Sequence, residues 1–269
     1  YSPSAGEWAM SVAAATARKS LCLSRQVGAV ILDSEGNIIS TGCNDVPKFG
    51  GGQYPYLSSE GSGGNSDCRC VYTSEKKCSN DIEKLHLMKK IEAIILKDDQ
   101  KRNEKIDEIK TLLSGIIEYS RAVHAEMAAI FNAIYSGKQN VRNGDVYCTT
   151  FPCHDCTKHM VMAGIKRVYY LEPYEKSLAL KLHYDSVSTD GEPSKMAILP
   201  YEGIGPEMFM RFFEAKKRKS STPAHKSEKK PRIMEQLDSF VEYERKIADH
   251  INDDLKIQML SADEINNRN

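Results

Sequence analysis

Apolar positions recur at helical spacing over residues 5–21 (AGEWAMSVAAATARKSL), which predicts a first helix. Residues 26–33 (QVGAVILD) form a short β-rich run. The turn signal Ser34-Glu35-Gly36-Asn37 separates it from residues 38–43 (IISTGC), so the two are expected to pair as a hairpin. Glycine and serine dominate residues 49–66 and predict a loop. Two amphipathic helical patterns follow over 81–117, broken near Asp98-Asp99. The stretch of about 50–120 therefore reads as a helical insertion between the hairpin and the next core element.

The core pattern resumes at His124, with a helix that closes at Gly137. A strand over 145–150 leads to a helix over 153–163, which Pro152 can open at its first turn. A strand over 166–171, a helix over 176–183, a strand over 196–201 and a helix over 206–215 complete the series. Alternation of this kind argues for a layered α/β domain. Beyond residue 215 the pattern breaks. Residues 216–232 hold eight basic residues against one acid with almost no apolar content, which predicts a flexible basic linker, though such a cluster also suits targeting or nucleic acid. The remainder, 233–269, is acidic and helical in pattern. The expected organisation is a layered α/β domain over 1–215, a linker over 216–232 and an acidic helical tail over 233–269.

Charge narrows the function classes. Lysine plus arginine equals aspartate plus glutamate at 37 each, whereas a protein that grips a nucleic-acid backbone usually carries a basic excess. Neutrality leans toward a small-molecule substrate. Eight cysteines, without a secretory signal or a membrane-length apolar run, point to the reducing cytoplasm, where closely spaced cysteines are better read as metal ligands than as disulfides.

Two short segments carry the chemistry. His124-Ala125-Glu126 opens one expected helix, and Pro152-Cys153-His154-Asp155-Cys156 opens another after a strand. Residues three apart share a helix face, so Cys153 and Cys156 can meet one metal ion. A helix N-terminus favours their thiolates. Three protein ligands leave a fourth position for water, the arrangement of catalytic zinc. Glu126 is not needed as a ligand and is the expected acid/base that moves protons between water and substrate. H-x-E followed by P-C-x-x-C is the signature of zinc nucleobase deaminases.

These segments, with VGAVILDSEGNIISTGCNDVP and TTFPCHDCTKHMVMAGIKRVYYL, resemble the cytidine and deoxycytidylate deaminase superfamily. EPYEKSLALKLHYDS and PYEGIGPEMFMRFF are similar to the deaminase half of bacterial antiphage dCMP and dCTP deaminases. The resemblance implies a three-layer α/β/α fold with a mixed sheet of about five strands. It implies Zn2+ as cofactor, deoxycytidine nucleotides as substrates, a substrate contact from Asn44, and assembly into a homo-oligomer. It also implies a kinase-like N-terminal domain or partner. The sequence starts at Tyr1 and contains no G-x-x-x-x-G-K-[ST] loop, so that part is expected elsewhere.

A nucleotide needs cations for its phosphates, and Arg25, Lys48, Arg121 and Lys176 stand near the expected site. Cys68, Cys70, Cys78 and His86 cluster in the insertion. They are candidates for a second, structural zinc, as some deoxycytidylate deaminases carry, or are free thiols. His154, His159 and His183 read as structural or exposed, and Trp8, Tyr169 and Tyr170 as core. The primary expectation is deamination of dCMP or dCTP serving phage defence. Housekeeping dCMP deamination, a nucleic-acid cytosine editor and a non-catalytic zinc module are the alternatives.

Overall fold

A capping box starts the fold: Ser4 Oγ accepts from the Glu7 amide (3.2 Å), while the Glu7 carboxylate accepts from the Ser4 amide (2.8 Å). Helix α1 (Ala5–Ala17) follows. It stops short of residue 21 because the chain is pulled aside. Ser20 Oγ donates to the Asn44 carbonyl, and the Leu21 amide donates to the Asp45 carboxylate. Strands β1 (Gly28–Leu32) and β2 (Ile38–Cys43) form the expected hairpin. The insertion contributes α2 (Ser79–Ile95) and α3 (Arg102–Leu113). The core then continues as α4 (Ala125–Tyr135), β3 (Asp145–Thr150), α5 (His154–Ala163), β4 (Arg167–Glu172), α6 (Ala179–Leu182), β5 (Val187–Ser188), β6 (Met196–Pro200) and α7 (Pro206–Phe213). This computed structural model describes residues 2–54, 67–95, 102–113, 116, 119–137 and 140–214. The expected linker and acidic tail, and part of the insertion, lie outside them.

The sheet has six strands in the order β2-β1-β3-β4-β6-β5, one more than expected. The addition, β5, is two residues long and so carries no alternation to read. Strand β1 is antiparallel to both β2 and β3, whereas β3, β4, β6 and β5 run parallel. Helix α1 covers one face through Ala9, Met10 and Ala13 on Val30 and Leu32. Helices α4 and α5 cover the other, where Ala129, Ala133 and Met160 meet Ile31, Val146, Val168 and Ile198. That is the three-layer α/β/α arrangement. Burial on both faces explains why β1 is apolar without alternation. Trp8, expected in the core, is half exposed.

Two glycines set the helix-to-sheet distances. A Cβ on Gly28 would lie 1.9 Å from the Ala13 carbonyl oxygen, and one on Gly42 would lie 2.3 Å from both the Ala125 oxygen and the Ala129 nitrogen. Helices α1 and α4 therefore rest directly on backbone, which only glycine permits. Residues Ser4–Pro206 form one compact unit. The sheet and the site described next lie wholly within it.

Candidate active site

Topology gathers the site at one edge of the sheet. Because β1 is antiparallel to its two neighbours, the entry to β1 shares that edge with the exits of β2, β3 and β4. Residues 25–27, 44–45, 150–153 and 174–176 are thus neighbours despite their separation in sequence. This is the carboxyl edge where open α/β sheets build their sites.

Helices α4 and α5 start there. His124 is the N-cap of α4 and Cys153 the N-cap of α5, each in extended conformation. His124 Nδ1 lies 3.3 Å from Cys153 Sγ and 3.4 Å from Cys156 Sγ, and the three ligand atoms all fall within 4.8 Å of one another. A tetrahedral zinc with bonds of about 2.3 Å to sulfur and about 2.0 Å to nitrogen has N···S edges of about 3.5 Å. One imidazole and two thiols at these separations fit that ion. Among the described residues this is the one group of three or more such side chains close enough to hold a metal.

The electrostatics agree with a ligand set. The hydrogen bond from Cys156, with His124 beside it, holds the Cys153 thiol well below its usual range despite partial burial. The same Cys153 contact pushes His124 up to about 9. Cys156, bonded to Cys153 and deeply buried, is pushed up instead. The three side chains thus share protons that a cation would displace. Glu126 stands in the first turn of α4, 5% exposed, with Oε2 accepting from the Cys156 thiol at 3.4 Å. Burial first, and then the neighbouring Cys153, raise its carboxyl above the ordinary value.

A cavity of about 330 Å³ opens onto this group, with His124, Glu126 and Cys153 in its wall. The matching family model covers residues 3–172 and describes the cytidine and deoxycytidylate deaminase zinc-binding region. The chain belongs to this family. As a family member it is a hydrolase acting on C–N bonds with a zinc-binding region. It is 28% identical over 171 residues to the deoxycytidylate deaminase of Enterobacteria phage T4, an alignment covering 62% of this chain and 78% of the phage protein. It is 26% identical over 165 residues to the human deoxycytidylate deaminase, covering 61% of this chain and 63% of the human protein. The dCMP deaminase of cyanophage S-TIM5, solved in complex with dCMP and dUMP, aligns at 17% identity and a TM-score of 0.40, over 75% of this chain and 99% of that one.

The other sequence-derived candidates of this deaminase scatter. Arg25, Asn44 and Lys176 line the cavity. The Asn44 amide is engaged by backbone: Oδ1 accepts from the Val27 amide (2.7 Å) and Nδ2 donates to the Arg25 carbonyl (2.7 Å). One amide hydrogen and one lone pair remain for a substrate. The Arg25 guanidinium lies 5.9 Å over the Tyr174 ring. Lys48 and Arg121 do not line the cavity. Lys48 sits 5.7 Å over the Tyr54 ring, and Arg121 donates to the Cys68 carbonyl (2.7 Å). The proposed second-metal set does not converge either. Cys68 is exposed, and exposed His86 faces Glu83 at 3.9 Å. Cys70 and Cys78 instead share a small adjoining cavity with Cys22, a residue with no spacing signal in the sequence. Sequence reasoning also missed Thr150, Phe151 and Tyr174, which complete the cavity wall, and Asn80 and Ser120, which the insertion supplies.

Proposed function

We propose that this deaminase converts a deoxycytidine nucleotide, dCMP or dCTP, to the deoxyuridine form by hydrolysis, releasing ammonia. The observation that carries this reading is Glu126: a buried carboxylate two residues from one ligand of a three-ligand group, in the wall of a cavity of nucleoside size. Zinc held by His124, Cys153 and Cys156 would supply a water acidified toward neutral pH. Glu126 takes one proton from the attacking water and delivers it to the pyrimidine ring nitrogen, then takes the second from the C4 hydroxyl so formed and passes it to the amine as the C4–N bond breaks, leaving a C4 carbonyl and ammonia. Its upward-shifted carboxyl is in the direction such a two-way role needs. Phe151 and Tyr174 flank the ring, and Arg25 and Lys176 bind the phosphate.

The names of the phage T4 and human relatives, deoxycytidylate deaminases, favour the monophosphate, for which housekeeping supply of thymidylate is the alternative role. The likeness of residues 172–186 and 200–213 to antiphage deaminases favours depletion of nucleotides during infection. Self-assembly is also proposed: Phe131, Ile134 and Tyr135 form an exposed i, i+3, i+4 stripe on α4.

Incubation of the zinc-loaded protein with cytidine, dCMP, dCTP and a cytosine-containing single strand, followed by ammonia release, tests the substrate. Turnover of a free deoxynucleotide is expected, and turnover confined to the strand would replace this reading with editing. Cells carrying the parent or Glu126→Gln, challenged with phage, separate defence from supply: only a defence role makes plaque counts depend on Glu126.

A further inference from the structure

Cys153 is an N-cap: its carbonyl accepts the first bond of the helix, from the Thr157 amide (2.9 Å), but its own amide and the residues before it lie outside that ladder. Something else must hold the chain on that side. The chain leaving β4 makes three hydrogen bonds around it. The Phe151 amide donates to the Glu172 carbonyl (2.7 Å). Ser177 Oγ donates to the Pro152 carbonyl (2.7 Å), and His183 Nε2 donates to the His154 carbonyl (3.0 Å). The bonded residues 151, 152 and 154 bracket the ligand on both sides.

Neither Ser177 nor His183 is placed by accident of a regular element. Ser177 lies before α6, where its hydroxyl also accepts from the Ala179 amide (3.2 Å), which is why the helix expected over 176–183 begins only at Ala179. His183 is the C-cap of that four-residue helix. The same stretch carries Tyr174 and Lys176 into the cavity wall. One segment therefore contacts the ligand-bearing backbone and the substrate cavity at once.

We propose that Ser177 and His183 are positioning residues for the metal ligand Cys153, acting by clamping the peptide groups on its two sides. The proposal rests on the zinc reading above. Groups that orient a ligand without touching the metal typically contribute 10–100-fold to metal affinity, and their loss shows as faster metal release.

The test is zinc transfer from the loaded protein to a chromogenic chelator, alongside thermal unfolding of the zinc-free forms. Ser177→Ala and His183→Ala are expected to release zinc about tenfold faster or more, and the double variant faster still. Ser177→Thr and His183→Gln, which keep a donor, are expected to recover most of the parent's retention. Lys181→Ala, exposed on the same helix, should match the parent. Release at the parent's rate from both alanine variants overturns the proposal. So does faster release accompanied by a matching fall in the melting temperature of the zinc-free protein, because that marks general loosening. A parent that holds no zinc in the first place fails the site reading itself, a result distinct from either.

Discussion

Glu126 is buried beside the Cys156 thiol at the cavity wall, and the proposed reaction makes it the proton carrier. Replacing its carboxylate by an amide of the same shape leaves the three ligands in place and removes the proton carrier. Glu126→Gln is therefore expected to keep one zinc per chain while kcat falls about 100- to 10,000-fold, read by metal analysis and ammonia release. Cys156→Ala should behave differently, since it removes a ligand and leaves two. Loss of zinc and activity together is the expected result, and retention of stoichiometric metal would remove Cys156 from the ligand set. The four residues of this group were legible in the sequence because helix geometry fixes the spacings within each segment. Arg25, Lys48, Arg121 and Lys176 were indistinguishable there as isolated cations. Only the sheet edge separates the two that reach the cavity from the two that do not.

At the scale of elements, contact between helix and sheet decides where the catalytic segments sit. Helix α4 carries His124 and Glu126 and rests on Gly42, so a single methyl group there must push the whole helix away. Gly42→Ala is expected to destabilise the fold by about 1–3 kcal/mol and to weaken zinc retention in step, as measured by urea unfolding and chelator competition. A buried cation, Arg69, helps fasten the insertion to the core. Arg69 donates to Asp45 at 3.0 Å and to Asp67 at 2.6 Å, between the rings of Tyr54 and Tyr72. Asp45 in turn pairs its backbone with Val123, next to the His124 ligand. Arg69→Met leaves a buried carboxylate without its partner and should cost about 3–5 kcal/mol. Burial alone would raise the Asp67 carboxyl, but its bonds with Arg69 hold it below the ordinary value. A depressed carboxyl contributes stability above its unfolded pKa, about 4, and loses it as the pH falls through the lower folded value. The gap in urea midpoint between parent and Arg69→Met should accordingly narrow below about pH 4. The chain pattern gave most of these elements, with strand ends right to within a few residues. It missed β5, which is too short for a period, and overextended α1 and α6, where side-chain bonds to distant backbone stop α1 early and delay the start of α6.

For the molecule as a whole, zinc and fold are expected to be coupled, because the three ligands come from two helices that pack on one sheet face. Removal of zinc by a chelator should lower the melting temperature, and added zinc should restore it in a concentration-dependent way. Assembly belongs to this scale too. If copies associate through α4, Phe131→Glu should reduce the sedimenting mass toward that of one chain, and an unchanged mass would place the interface elsewhere. Among the described residues no helix is long and apolar enough to cross a membrane.

The sequence by itself determined the two short segments that carry His124, Glu126, Cys153 and Cys156, the layered α/β class and the hairpin that begins it. Those features are local: they depend on spacings of two or three residues, on turn signals and on the period of apolar positions. Only the tertiary structure decided which cations meet the cavity, that Asn44 is bonded to the backbone at residues 25 and 27, that the insertion supplies Asn80 and Ser120, and that residues 172–183 brace Cys153. These are long-range matters. They follow from β1 running antiparallel between β2 and β3, which brings four separate loops to one edge, and no local pattern encodes that meeting.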